Sequence, residues 1–160
     1  MLVLGTLPSR KSIEQNQYYG HPQNAFWRIM GVLFGAGLEL PYEQRVDILI
    51  RNHVAVWDVL AASVRPGSMD ADIDRNRSVP NDFESFFDAQ PDIEQVFFNG
   101  KTAEQLFTKL VAPVVENGSN RRNYQAMPST SPAHATMNFE QKLEIWRAIG
   151  IATGDKRRTA

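Results

Sequence analysis

With 160 residues, 42% hydrophobic and 22% charged, the chain has the size and composition of one globular domain, able to bury a core without disulfides or a structural metal. It has no cysteine, which excludes disulfides, thiolate zinc sites, iron–sulfur clusters and cysteine nucleophiles. A net charge of −1 and an isoelectric point of about 6.3 argue against binding nucleic acid by bulk charge, but not against an enzyme that grips DNA through a small polar face.

Leu2 to Leu4 is a short apolar run ending at Gly5, and it reads as a buried strand. It is too short to span a bilayer and has no basic leader, so we expect a cytoplasmic protein that does not engage a membrane. Arg10 to Gln23 is polar with two tyrosines and no clear period, the pattern of a long functional loop. From Asn24, Phe26, Trp27, Ile29, Met30, Leu33 and Phe34 recur at helical spacing, up to Gly35-Ala36-Gly37. Pro41 and Tyr42 begin a second helix that stops at Asn52. His53 to Trp57 reads as a strand, followed at once by Asp58. Ser63 to Pro80 is a long loop rich in Arg, Asp, Ser, Gly and Pro.

Asp82 to Ala89 is a short predicted helix, and Ile93 to Phe98 a strand ending in Asn99-Gly100. Thr102 starts the next helix, with Thr102 to Gln105 matching a capping box and Pro113 and Gly118 marking its end. Asn123 to Met127 is a strand running into Pro128 to Pro132, and Phe139 to Ile149 is the last helix. From about residue 151 the chain is a polar, basic tail of the same domain, 1–160. This alternation predicts a three-layer α/β/α fold around a short, mostly parallel four-stranded sheet. Ligands bind such sheets outside the carboxyl ends of the strands, here Gly5 to Ser9, Asp58, Asn99-Gly100 and Pro128 to Pro132.

Four clusters at or near those ends could carry chemistry. Gly5-Thr6-Leu7-Pro8-Ser9 is in the first place a strand-to-loop turn, without the spacing of a phosphate loop or a dinucleotide fingerprint. In Tyr18 to Trp27, Asn24 suits a helix N-cap, and a side-chain amide there can also hold a water. Two tyrosines in a polar loop are harder to read as core, and such a ring can stack on a planar base. Asn99-Gly100 is a common turn, yet an amide at a strand end can read a base edge as donor and acceptor. Pro128 to Ala135 suits a loop leading into a helix, and its hydroxyls can also hold phosphates. His21, His53 and His134 lack metal-binding spacing and clustered carboxylates, so we expect no metal and no cofactor. No nucleophile elbow marks a serine triad.

Taken in order, GTLPS (5–9), YYGHPQNAFW (18–27), VFFNG (96–100) and PSTSPAHA (128–135) resemble the uracil-DNA glycosylase superfamily along nearly the whole chain. The second segment is close to the HPxNxFW segment of the mismatch-specific uracil/thymine branch. The fuller form, GxxPSxxS, then QYYxHPxNxFW, then PSTSPA, is most like the hypoxanthine-DNA (deoxyinosine) glycosylase branch. Most branches carry a water-activating Asp or Asn in the first motif, where this chain has Leu7. The hypoxanthine branch also lacks it and relies on the Asn that corresponds to Asn24. The second motif usually opens with His or Asn before Pro-Ser, and here it opens with Met127; His134 lies several residues on.

The resemblance implies a monomeric, monofunctional glycosylase of base-excision repair. Its partner is DNA containing a deaminated base (hypoxanthine and/or uracil), which it flips out and releases to leave an abasic site. Asn24 would position the water, Tyr19 would stack on the base and Asn99 would bond its edge. Thr6 and Leu7 would offer backbone N–H groups to it. Ser9, Ser129 and Ser131 would meet phosphates, with His21 and His134 as further candidates. Two rival classes remain in the sequence: a nucleic-acid or nucleotide binder of this fold without the chemistry, for which Leu7 argues, and a hydrolase of free nucleosides.

Overall fold

The computed structural model describes residues 1–64, 73–74, 77–115 and 122–152. Its centre is a four-stranded, all-parallel sheet in the order β2 (Ala55–Asp58), β1 (Leu2–Gly5), β5 (Gln95–Asn99), β6 (Asn123–Met127). Leu4 sits opposite both Trp57 and Phe98, so the strands end together at one edge. Both faces are covered. Side chains alternate along a strand, so Leu2, Leu4, Val96 and Phe98 share one core with Phe83 and Phe87 of α4 (Phe83–Ala89) and Leu106 and Phe107 of α5 (Lys101–Leu110). Val3 and Phe97 face the other core, with Phe26, Trp27, Ile29 and Met30 of α2 (Phe26–Phe34), Leu49 of α3 (Tyr42–Arg51) and Trp146 and Ile149 of α7 (Phe139–Ala152). The expected three-layer architecture is therefore present.

Several local expectations need correction. Arg10–Gln15, read as loop, is a short helix α1; Ser9 caps it by accepting from the Ser12 N–H at 3.2 Å, and Asn16 ends it in the left-handed region. Its only large apolar side chain, Ile13, points outward, so no buried stripe announced it. The strand expected from His53 starts at Ala55, because His53 has φ 57° and completes the turn out of α3. Within the expected 63–80 loop, Val79–Pro80 (β4) pairs antiparallel with Leu60–Ala62 (β3); residues 65–72 and 75–76 of that loop lie outside the described residues.

The capping box at Thr102 does not form, since α5 begins one residue earlier behind Gly100, whose φ is 102°. Pro113 does not end α5 but lies within a further short helix, α6 (Ala112–Val115), and Gly118 lies outside the described residues. The last helix runs on to Ala152, three residues past the expected Ile149, and the tail from 153 lies outside the described residues. Among the described residues no helix is long and apolar enough to cross a membrane.

Candidate active site

At the carboxyl edge of the sheet lies a cleft of about 1060 Å³. Thr6, Leu7, Ser9, Tyr19, His21, Asn24, Asn99, Ser129, Ser131 and His134 all line it. Segments up to 128 residues apart in sequence therefore converge because parallel strands end side by side.

Asn24 sits just before α2. The helix proper starts at Phe26 with Ala25 in the cap position, one residue later than expected, but the Phe26 N–H still donates to Asn24 Oδ1 at 2.9 Å. That bond orients the amide and leaves Oδ1 a second lone pair. The Ala25 N–H donates to the Thr130 carbonyl at 2.9 Å, stitching the start of α2 to the β6–α7 loop.

Tyr19 has φ 54°, a left-handed conformation that a non-glycine residue adopts at a cost of roughly 1 kcal/mol or more. Its ring stacks on Phe26 at a centroid distance of 4.1 Å and an interplanar angle of 29°. Tyr19 is thus partly core, which the sequence reading did not expect, and it still lines the cleft. Three contacts hold this loop. The Trp27 indole N–H donates to the Tyr18 carbonyl at 2.8 Å, the Tyr18 N–H donates to the Tyr42 hydroxyl at 3.0 Å, and the Gly20 N–H donates to Ser12 Oγ at 3.1 Å. Burial, then the Asp58 carboxylate and Tyr42, push the Tyr18 phenol up to about 12, so its hydroxyl stays protonated well above neutrality.

Asn99, expected to offer a free donor and acceptor, is already engaged on both atoms. Its Oδ1 accepts from the Thr130 N–H and its Nδ2 donates to Thr130 Oγ1, both at 2.8 Å and buried. One Nδ2 hydrogen and one Oδ1 lone pair remain on a side chain that cannot easily turn. Gly100 follows because a Cβ there would lie 3.0 Å from Ser129 Cβ.

The hydroxyls divide by role. Ser9 Oγ caps α1 and also shares a hydrogen with Ser12 Oγ at 3.0 Å, so much of its capacity is spent inside the fold. Ser129 Oγ accepts from the Ser131 N–H at 3.2 Å, and Ser131 Oγ from the Ala133 N–H at 3.3 Å. Those bonds use oxygen lone pairs, so both hydroxyl hydrogens remain to donate, as phosphate oxygens require. The Gln23 N–H donates to His21 Nδ1 at 3.2 Å, which in the neutral ring places the proton on Nε2. His134 lies 3.3 Å by its Nε2 from Thr136 Oγ1.

Sequence reasoning left several contributors unassigned. Asp58 is buried at the end of β2 and lines the cleft, its carboxylate packed so close to Gly5 that no larger residue fits there. Its place at a strand end was visible, but nothing in the sequence showed that it reaches the first motif. Lys142 is buried on α7 and donates to the Ser131 carbonyl at 3.4 Å and the His134 carbonyl at 2.9 Å, fixing the β6–α7 loop; burial holds its pKa below the ordinary lysine range. Lys101, exposed at the start of α5, also lines the cleft.

An open parallel sheet with a cleft of amides, aromatic rings and hydroxyls at its carboxyl edge defines an α/β protein with its candidate ligand site outside the carboxyl ends of the strands. The model of the uracil DNA glycosylase superfamily matches residues 1–150. A hypoxanthine DNA glycosylase of Methanosarcina barkeri is 36% identical over 137 residues, 81% of this chain and 85% of that protein. One of Methanosarcina acetivorans is 33% identical over 150 residues, 93% of this chain and 89% of that protein. A solution structure from Methanosarcina acetivorans, provisionally described as a uracil DNA glycosylase, superposes with a TM-score of 0.75 at 32% identity, covering 96% of this chain and 89% of that one. The chain belongs to the uracil DNA glycosylase superfamily.

Proposed function

We propose that this protein is a monofunctional DNA glycosylase that hydrolyses the N-glycosidic bond of a deaminated base, hypoxanthine and/or uracil, leaving an abasic site. The observation that carries the reading is the convergence of all four motif segments on one cleft at the sheet's carboxyl edge. The superfamily match and the two relatives named hypoxanthine DNA glycosylase support the reaction and the base.

The lesion leaves the duplex, which costs a few kcal/mol and least at a mispair. The base stacks on Tyr19, which Phe26 backs from the other side. Asn99 bonds the base edge through its remaining N–H or lone pair, while Thr130 keeps the amide from turning. Backbone N–H groups at Thr6 and Leu7 meet a carbonyl oxygen of the leaving base. Ser129 and Ser131 donate to flanking phosphates, with His21 Nε2 and His134 at the rim and a smaller part for Ser9.

Water then attacks the sugar carbon. The glycosidic electron pair leaves with the base, and the water's proton passes to solvent. Asn24 Oδ1, one lone pair bound by the Phe26 N–H, accepts a hydrogen from that water and leaves the water's own lone pair free to attack. An amide is too weak a base to remove a proton, so its contribution is placement. Fixed dipoles around the departing base anion supply more of the acceleration.

Single-turnover excision from deoxyinosine and deoxyuridine oligonucleotides tests this. Asn24→Ala should slow the better substrate on the order of a hundredfold while lesion binding persists. Full activity in a folded Asn24→Ala protein would overturn the water-positioning role. Strand scission should need added alkali; scission without alkali that disappears in Lys101→Met would make the enzyme bifunctional. The second reading, a binder without chemistry, draws on Leu7 at the position that activates water in most branches. It predicts lesion binding with no abasic product from wild type. We further propose that the protein works as a monomer, which light scattering at working concentration checks.

A further inference from the structure

We infer that Arg45, which does not itself line the cleft, is a positioning residue for base capture: it holds the loop that carries Tyr19. Arg45 lies on α3, is 7% exposed and makes no ion pair among the described residues. Its one hydrogen bond, from Nη2 to Gln17 Oε1, is long at 3.5 Å, and its buried Nε has no partner among the described residues. Burying a cation on these terms costs stability. Two aromatic rings account for its place. The guanidinium carbon lies 4.6 Å from the Trp27 ring centroid and 5.3 Å from that of Tyr42. Those two rings meet edge to face at 84°, and the planar guanidinium packs against both.

Both rings end on Tyr18. The Trp27 indole N–H holds its carbonyl at 2.8 Å, and the Tyr42 hydroxyl accepts from its N–H at 3.0 Å. A shift of either ring therefore moves a peptide group on one side of Tyr18 or the other. The next residue is Tyr19 at φ 54°, a conformation that persists only where the surroundings impose it. On the other side Gln17, which lines the cleft, takes the Nη2 bond. Arg45 thus acts on the cleft through residues 17–19, and its buried charge is spent on placing them.

The inference rests on the glycosylase reading, with Tyr19 as the base platform. Anisotropy titrations test it without excision, using undamaged duplex and duplex whose deoxyinosine carries a 2′-fluoro sugar that resists cleavage. Arg45→Met should weaken lesion binding about tenfold and leave undamaged duplex within about twofold of wild type. The salt dependence should stay that of wild type, since a lost phosphate contact would lower its slope by about one. In a Tyr19→Ala background Arg45→Met should add less than about twofold, because both changes act through one ring. Arg45→Lys keeps the charge without the plane and should not restore lesion binding. The urea midpoint of Arg45→Met should equal or exceed that of wild type, because an apolar side chain replaces a poorly bonded buried cation. Unchanged lesion binding, an equal loss on both duplexes, or a loss that adds fully to that of Tyr19→Ala overturns the inference. So does a lowered midpoint, which would make Arg45 a support of the fold, or full recovery by lysine, which would make charge the agent. Wild type that excises neither hypoxanthine nor uracil but shows Arg45-dependent lesion binding would defeat the glycosylase reading and keep the inference. Wild type that excises, beside an Arg45→Met protein that binds and cuts as well, would do the reverse.

Discussion

Asn24, Tyr19 and Asn99 each hold a place in the fold as well as a place in the cleft. Asn24 accepts from Phe26, Tyr19 lies on Phe26, and Asn99 grips Thr130. That double use gives a site little freedom to reorganise when charge develops on the base. It also shapes what a substitution removes. Tyr19→Ala should weaken binding of lesion-containing DNA by about 1–3 kcal/mol, the worth of one base–aromatic stack, and leave binding of undamaged duplex nearly unchanged. Titration of the two duplexes by anisotropy measures both, and equal loss on both would mean the ring serves general DNA contact. The residue types and their order were readable in sequence. The occupancy of Asn99 was not, since its partner Thr130 is 31 residues away on another strand end.

At the scale of elements, the loops at the sheet edge are held from below by buried donors. The Trp146 indole N–H reaches the Pro128 carbonyl at 2.9 Å, Trp27 reaches Tyr18, and Lys142 reaches Ser131 and His134. Helices that fill the core thereby set loop height in the cleft. A close approach lies at Gly100, where α5 leaves β5 against Ser129. Gly100→Ala would force a side chain at φ 102° into that contact. It should cost roughly 1–3 kcal/mol, read as a lower urea midpoint at unchanged slope. Long elements with a buried stripe, such as α2 and α3, were legible because burial writes a period into sequence. The short helix α1 and the β3–β4 pair were not. Caps and a local pairing hold them, and neither leaves a periodic trace.

At the scale of the molecule, stability in alkali should carry a mark of the site. The Tyr18 pKa is raised from 10.0 to about 12 in the folded protein. Its contribution is complete below pH 10 and is lost as pH rises toward 12, because the unfolded chain ionises first. The lowered pKa of Lys142 acts in the opposite sense below its ordinary value of 10.5, adding stability as pH rises. Comparing wild type with Tyr18→Phe separates the two: denaturation midpoints of the variant should fall less steeply between pH 10 and 12. Parallel curves would place Tyr18 in an ordinary aqueous environment.

By itself the sequence determined the layered α/β class, the core faces of the main helices, and the four segments that carry the site. Strand burial and helix amphipathicity are periodic, and the motif residues are contiguous, so both survive in one dimension. Only the tertiary structure decided that Asp58 meets Gly5, that Lys142 braces the loop after β6, and that Thr130 locks Asn99. Those relations join residues whose distance along the chain says nothing of their distance in space. They follow from the order in which parallel strands lie in the sheet.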